Sequence, residues 1–173
     1  RRDACVFPWH SGSSNMSMEL FKSMTGTNLL YVPYKTSPST IIAVMSNEVQ
    51  VVFHDPDLVI PPAKTGKLKL LAVTSARRTP LAPDLPSVAE AGVPGYEYVS
   101  NNSLYTQAKA PPAAIAKLNE AAVRYLRSPE ARENFLNRFT EPVGSTPAEA
   151  AAALRNTYEK MAKLVKEANL KGK

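Results

Sequence analysis

Short apolar runs alternate with amphipathic stretches in the first two thirds of the chain, whereas the last third contains amphipathic stretches alone. Short apolar runs bounded by turn residues predict strands that are covered on both faces. Apolar residues spaced three or four apart predict helices. The predicted strands are residues 4–7, 29–32, 49–53 and 68–73, with a further extended segment at 96–105. Strands that alternate with helices in this way predict an α/β domain with a mainly parallel sheet.

Helix boundaries in the first third of the chain are marked by small polar residues, glycine and proline. Ser14 or Asn15 is expected to be the N-cap of a first helix, because a side-chain oxygen there can accept from a free backbone N–H. Gly26 is expected to end that helix. Ser37 followed by Pro38 predicts the N-cap and first residue of a second helix, since the missing N–H of proline costs nothing at that position.

The remaining helices are predicted from capping boxes and apolar spacing. A short, proline-interrupted helix or turn is expected at 57–65. The capping box Ser-Val-Ala-Glu at 87–90 predicts a short helix, and the box Thr-Pro-Ala-Glu at 146–149 predicts a long one. Apolar spacing predicts an amphipathic helix across 115–126, and Ser128 is expected to open the next helix.

Length and composition restrict the class of protein. The 173 residues are enough for one domain or two small lobes with a real core. The net charge is +6, but the basic residues are scattered among acids and are not interleaved with aromatic platforms, so we expect no nucleic-acid partner. No apolar run approaches the ~18 residues that cross a bilayer. Cys5 is the single cysteine, which excludes a disulfide within the chain.

Polar segments follow three of the predicted strands, at 11–15, 34–35 and 54–55. In a parallel sheet the carboxyl ends of the strands meet at one edge, where the turns form a ligand crevice. We therefore expect these three segments to contribute to one binding edge.

A serine hydrolase is an alternative hypothesis, because His10, Ser13 and Asp55 supply the residue types of a catalytic triad. The sequence contains no Gly-x-Ser-x-Gly elbow, however, and nothing in it positions a base against the serine. We expect no enzymatic activity.

Several segments in fixed order carry a family resemblance. They are VPYK at 32–35, GKL at 66–68, LAVTS at 71–75, Arg78, and PDLPSVAEAGVPG at 83–95. From Gly12 onward their order and spacing resemble the tripartite tricarboxylate transporter receptors, which are the extracytoplasmic solute-binding proteins of the Bug family.

The resemblance implies an α/β protein with a type II periplasmic-binding-protein fold, in which two lobes close on a small ligand. It implies capture of a small carboxylate in the periplasm for the membrane subunits of a tripartite tricarboxylate transporter, without catalysis, cofactor or metal. Residues 1–105 correspond to one nearly complete lobe, the second. Residues 106–173 correspond to the crossing segment and C-terminal helices of the first lobe, most of which is absent from this sequence. Because those helices lack the sheet they normally cover, we expect homo-oligomers to form through them.

The site residues that the resemblance implies lie at helix N-termini and strand ends, where free N–H groups and hydroxyls suit a carboxylate. They are Ser13, Ser14, Asn15, Tyr34, Lys35, His54 and Asp55. Each has a structural alternative. The serines and the asparagine would cap a helix, Tyr34 would pack its ring, Lys35 would be a solvated charge, and His54 would be a hydrogen-bonded residue at a strand end.

Other positions depart from the family pattern. His10 and Thr36 stand where glycine is usual, and His54 stands where aspartate is usual. A histidine there would change the preferred ligand or the pH dependence of binding. Polar residues at 100–105 replace a more aromatic crossing segment. These departures leave open a second interpretation, a degenerate paralogue fragment that binds no ligand.

Overall fold

The computed structural model describes residues 4–8 and 12–167, which form a three-stranded sheet and six helices. The elements are β1 (Ala4–Pro8), α1 (Gly12–Thr25), β2 (Leu30–Tyr34), α2 (Ser37–Met45), β3 (Val51–Val52), α3 (Pro56–Lys64), α4 (Pro112–Leu126), α5 (Pro129–Leu136) and α6 (Pro147–Glu167). Strands alternate with helices up to α3, and helices alone follow. This mixture agrees with the predicted α/β class.

The sheet is entirely parallel, with β1 between β2 and β3. Cys5 of β1 lies opposite Tyr31 of β2 and Val51 of β3. The connection through α1 leads to one side of β1, whereas the connection through α2 leads back to the other side. Right-handed crossovers therefore place α1 and α2 on opposite faces of the sheet.

Two separate apolar clusters hold these helices to the sheet. Met18 of α1 is fully buried, and Phe53 is among the residues packed against it. Ala43 of α2 and Val49 are almost fully buried, and the ring of Tyr34 packs against them. Each helix thus stabilises its own face of the sheet by removing apolar surface from water.

Two predicted helix starts are wrong by a few residues. The helix α1 already begins at Gly12, so Ser14 and Asn15 lie inside its first turn and neither is the N-cap. The N-cap of α2 is Thr36, whose hydroxyl accepts from the backbone N–H of Ser39 at 3.3 Å. The Ser39 hydroxyl in turn accepts from the backbone N–H of Thr36, so Thr36 and Ser39 form a complete capping box. The pattern Ser37-Pro38 had predicted the N-cap one residue later.

Other predicted boundaries are confirmed. Gly26 has φ +66° and donates its N–H to Lys22 O at 2.9 Å, which ends α1. Ser128 caps α5. In the box that opens α6, the Thr146 hydroxyl accepts from the N–H of Glu149 at 3.2 Å, and the Glu149 carboxylate accepts from the N–H of Thr146 at 2.8 Å.

Three predicted elements do not form. Residues 68–73 make a single isolated bridge, between Val73 and Ser87, in place of a strand. Residues 96–105 are irregular, and residues 87–90 form turns in place of a helix. The bonding partners of Val73 come from the loop at 86–88 and not from a neighbouring strand, so its apolar run does not extend the sheet.

The described residues divide into two compact units. The first contains the sheet, α1, α2, α3 and the irregular segment through Ser100, together with the last residues of α6 from Leu164. The second unit, Asn101–Lys163, contains α4, α5 and most of α6. Within the second unit the Asn119 side chain donates to Ser145 O at 3.0 Å, which ties α4 to the segment before α6.

Candidate functional site

The strand order places a ligand crevice between the turns that follow β1 and β3. These strands are neighbours, and the strand order reverses at β1, since the chain goes from β1 to β2 on one side and returns to β3 on the other. Open α/β sheets bind ligands at such a switch point, outside the carboxyl ends of the strands. The turn after β1 leads into the first turn of α1, and the turn after β3 contains His54 and Asp55.

The first turn of α1 has free backbone N–H groups, since it contains no proline, and no acidic side chain there would repel an anion. It contains Ser13, Ser14 and Asn15, and its first turn has no acidic side chain. Ser14 is buried, whereas Ser13 and Asn15 are half-buried. The free N–H groups and positive dipole end of a helix favour an anion at this position.

The other two helices that follow strands are less suited to an anion. At the start of α2, the box between Thr36 and Ser39 uses two backbone N–H groups, and Pro38 has none. At the start of α3, Pro56 again lacks an N–H, and the carboxylate of Asp57 would repel an anion. The structure therefore favours α1 as the anion-binding helix of this edge.

His54 contributes a buried donor at the end of β3. Its Nδ1 accepts from the backbone N–H of Asp55 at 2.8 Å, so the ring proton is on Nε2. That Nε2 is buried and has no hydrogen-bond partner among the described residues. An unpaired buried N–H costs about 1–3 kcal/mol, which a ligand oxygen would recover. The structural alternative, a histidine that is hydrogen-bonded at the strand end, is therefore confirmed for Nδ1 and not for Nε2.

Asp55 and Tyr98 lie within electrostatic reach of each other. Asp55 is exposed and is the N-cap residue of α3, but its carboxylate makes no capping hydrogen bond. Burial, and secondly the negative charge of Asp55, raise the pKa of Tyr98 above its ordinary value. The Tyr98 backbone N–H donates to Thr74 O at 2.8 Å, which fixes this residue to the segment after Val73.

Tyr34 and Lys35 are placed differently from the other candidates. The Tyr34 ring packs on the α2 side of the sheet, as the structural alternative predicted. Its hydroxyl is buried and has no hydrogen-bond partner among the described residues, and the neighbouring Glu48 carboxylate, followed by burial, raises the pKa of Tyr34 above its ordinary value. Lys35 is exposed and forms no ion pair with the described residues. It can attract an anion, but the structure gives it no fixed position.

Two tyrosines near the site, Tyr96 and Tyr98, were not among the predicted site residues. Tyr96 is completely buried, and its hydroxyl bonds to Ser17 of α1. The available signal was two aromatic residues at a spacing of two in a segment predicted to be extended.

The most recognisable family segment, 83–95, is held by local bonds. Glu90 accepts from the N–H of Ser87 at 2.9 Å and from Arg78 at 3.1 Å, and Arg78 also donates to Pro83 O at 3.3 Å. The Ser87 N–H, helped by the Arg78 charge, lowers the pKa of Glu90 below its ordinary value. No candidate binding residue lies in this segment, which stabilises the loop after Val73.

An open groove of about 900 Å³ lies in the second unit, between α4 and the start of α6. Ile115, Val123, Arg127 and Pro147 are among its lining residues, and no candidate site residue lines it. In the part of the chain that the structure describes, no three His, Cys, Asp or Glu side chains are arranged to hold a metal ion. His10, which the hydrolase hypothesis requires, lies outside the described residues.

Comparison with known proteins decides the family. The model of the tripartite tricarboxylate transporter family receptor matches residues 8–170. The chain belongs to this family. A UPF0065 protein of Bordetella bronchiseptica is 29% identical over 164 residues, which are 95% of this chain and 49% of that protein. The chain thus spans about half the length of this relative.

Solved structures agree on the fold. The R. palustris protein Rpa4515 with adipate has a TM-score of 0.85 and 28% identity, over 98% of this chain and 56% of that one. The periplasmic binding protein BugD has a TM-score of 0.76 over 99% of this chain and 58% of its own, and its 22% identity supports a common fold alone. The predicted periplasmic-binding-protein fold is therefore confirmed. None of the helices in residues 12–167 has the length and apolarity to cross a membrane.

Proposed function

We propose that this receptor-family chain binds a small dicarboxylate at the crevice between the turns after β1 and β3. The observation that carries the proposal is the unpaired, buried Nε2–H of His54. His54 follows β3, which is the neighbour of β1, and the chain leads from β1 into α1. One ligand carboxylate would accept from the first-turn amides of α1 and from the hydroxyls of Ser13 and Ser14, while an oxygen of the ligand would accept from His54.

The ligand class is supported by both charge and relationship. Lys35 supplies a positive charge at the same edge of the sheet, at the end of β2, and none of the described ion pairs neutralises it. The related structure with 28% identity carries adipate, a linear dicarboxylate. Asp55 lies at the opposite side of the crevice and disfavours a ligand that presents negative charge there. The site therefore suits a ligand whose second carboxylate lies away from Asp55.

The same proposal covers the cellular role. The chain would act in the periplasm and pass its ligand to the membrane subunits of a tripartite tricarboxylate transporter, with no chemical step and no cofactor. Residues 1–105 would belong to one lobe of the receptor, and residues 106–173 would belong to the crossing segment and helices of the other. Leu118, Tyr125 and Leu154 are about half exposed on the helices of the second unit, which supports association through those helices.

Calorimetric titration of the full natural gene product tests the proposal. The panel contains adipate, shorter and longer linear dicarboxylates, a tricarboxylate, and hexanoate as a control with the length of adipate and one carboxylate. We expect saturable binding of at least one dicarboxylate and at least about ten-fold weaker binding of hexanoate. Failure of the entire panel to bind would overturn the proposal and favour the non-binding paralogue.

A further inference from the structure

The hydroxyl of Tyr96 forms two buried hydrogen bonds to one residue of α1. It lies 2.9 Å from Ser17 O and 2.7 Å from Ser17 Oγ. Because a carbonyl only accepts, the single phenol proton goes to Ser17 O, and the Ser17 hydroxyl donates to the phenol oxygen. Tyr96 is 0% exposed and Ser17 is 4% exposed. Burial raises the pKa of Tyr96 to about 12, so the phenol is neutral at physiological pH.

The two bonds act on the part of α1 that the proposed ligand would contact. Ser17 lies one helical turn after Ser13 and on the same face of the helix. The ring of Tyr96 also meets Phe21 edge-on, with centroids 6.2 Å apart. Phe21 in turn lies against Phe53 at 5.9 Å, directly before His54 in the chain. Tyr96 thus contacts α1 directly, and the ring of Phe21 links it to Phe53 after β3.

The backbone around Tyr96 is itself held by bonds that do not involve α1. The Tyr96 N–H donates to Val93 O at 3.1 Å, and the Tyr98 N–H donates to Thr74 O at 2.8 Å. Thr74 follows the bridge between Val73 and Ser87. The hydroxyl therefore extends from a segment with its own supports, and it can fix the position of α1 relative to that segment.

Apolar packing alone does not explain why residue 96 is a tyrosine and not a phenylalanine. A phenylalanine would fill the same space and keep the contact with Phe21. A buried hydroxyl is costly unless it is fully bonded, and here both its donor and its acceptor capacity are used on Ser17. Two bonds from one hydroxyl to one residue restrict rotation and sliding of the helix relative to the segment that carries Tyr96.

We propose that Tyr96 is a positioning residue of the carboxylate site, and that its hydroxyl fixes the first turn of α1 opposite His54. This inference rests on the proposed function, since it concerns the same site. It assigns a binding role to a residue that touches no ligand and lies 79 positions from the serine it bonds.

Tyr96→Phe tests the inference through amide exchange and through ligand affinity. The amides of residues 16–18 are the first to close helical hydrogen bonds in α1, so they report opening of its first turn. We expect their hydrogen exchange to become about ten-fold faster, while the amides of residues 41–45 in α2 are unchanged. We also expect about ten-fold weaker binding of the best dicarboxylate.

Two controls separate positioning from general destabilisation. Ser17→Ala removes the hydroxyl bond and keeps the bond to the backbone Ser17 O, so it should produce only part of both effects. The double variant should resemble Tyr96→Phe, because that substitution already removes both bonds. Asn119→Ala removes the bond from α4 to Ser145 O in the second unit and should leave the exchange of residues 16–18 and the affinity unchanged. Unchanged exchange in Tyr96→Phe, or faster exchange with unchanged affinity, would overturn the inference. If the wild-type protein binds no carboxylate, the proposed function fails, whereas faster exchange still shows that the hydroxyl fixes the turn.

Discussion

Two substitutions of His54 separate the functions of its two ring nitrogens. In His54→Asn the amide oxygen replaces Nδ1 as the acceptor for the Asp55 N–H, and the buried Nε2–H is deleted. In His54→Gln the amide N–H occupies the position of Nε2, and the acceptor near Asp55 is lost. The pair therefore removes one nitrogen at a time from the same side chain.

We expect His54→Asn to be the more stable of the two variants and His54→Gln to bind the ligand more tightly. Removing an unpaired buried donor should stabilise His54→Asn by about 1 kcal/mol, once the lost ring packing of this half-buried residue is subtracted. Losing the bond from Asp55 should destabilise His54→Gln by about 0.5–1.5 kcal/mol. A hydrogen bond to a charged ligand is worth about 1.5–3 kcal/mol, so His54→Asn should bind a dicarboxylate at least about ten-fold more weakly. His54→Gln should bind it about as tightly as the wild type.

Urea denaturation without ligand gives the order of stability, and calorimetry with the best dicarboxylate gives the order of affinity. The reasoning predicts that the more stable variant is the weaker binder. Equal affinity of the two variants would show that Nε2 does not contact the ligand. A destabilised His54→Asn would show that Nε2 was not an unpaired donor in the free protein.

Three further predictions concern the core, the loop and the crevice. Met18→Ala should cost about 2–5 kcal/mol in urea denaturation because Met18 is fully buried, whereas Met24→Ala, in the same helix but 40% exposed, should cost less than half as much. The stability that Glu90 contributes should be complete above the ordinary carboxyl pKa and should disappear as the pH falls through its lowered pKa. Glu90→Gln should remove that part of the pH dependence, and identical pH profiles would contradict this account. Tyr98→Phe should leave stability unchanged and weaken dicarboxylate binding in calorimetry if the phenol contacts the ligand, and equal affinity would exclude that contact.

Local signals predicted the elements whose hydrogen bonds close within a few residues. The box at 146–149 and the cap at Ser128 are confirmed because their donors and acceptors are three residues apart. The apolar run at 68–73 was read as a strand because periodicity reports burial and not the identity of the partner. In the structure its end at Val73 bonds to the loop at 86–88, which no local pattern could indicate.

The candidate site was predictable only in part, for a related reason. Polar strand ends at His54 and Asp55 are visible in the sequence, but the protonation of the histidine depends on the bond from the next backbone N–H. The position of Tyr34 also required the structure, because its ring packs on the opposite face from α1. The spacing of Tyr96 and Tyr98 was visible in the sequence, but the role of Tyr96 was not, since it comes from a contact between residues 79 positions apart.

The self-contained bonding of the loop at 83–95 has a consequence for classification. The residues that identify the family most readily, such as Ser87 and Glu90, bond to one another and to Arg78, and none of them is a candidate ligand contact. The residues expected to choose the ligand, such as His54, are few and dispersed along the chain. Two receptors could therefore share this loop and differ entirely in cargo, so that grouping these proteins by substrate requires comparison of the strand-end residues and not of overall similarity.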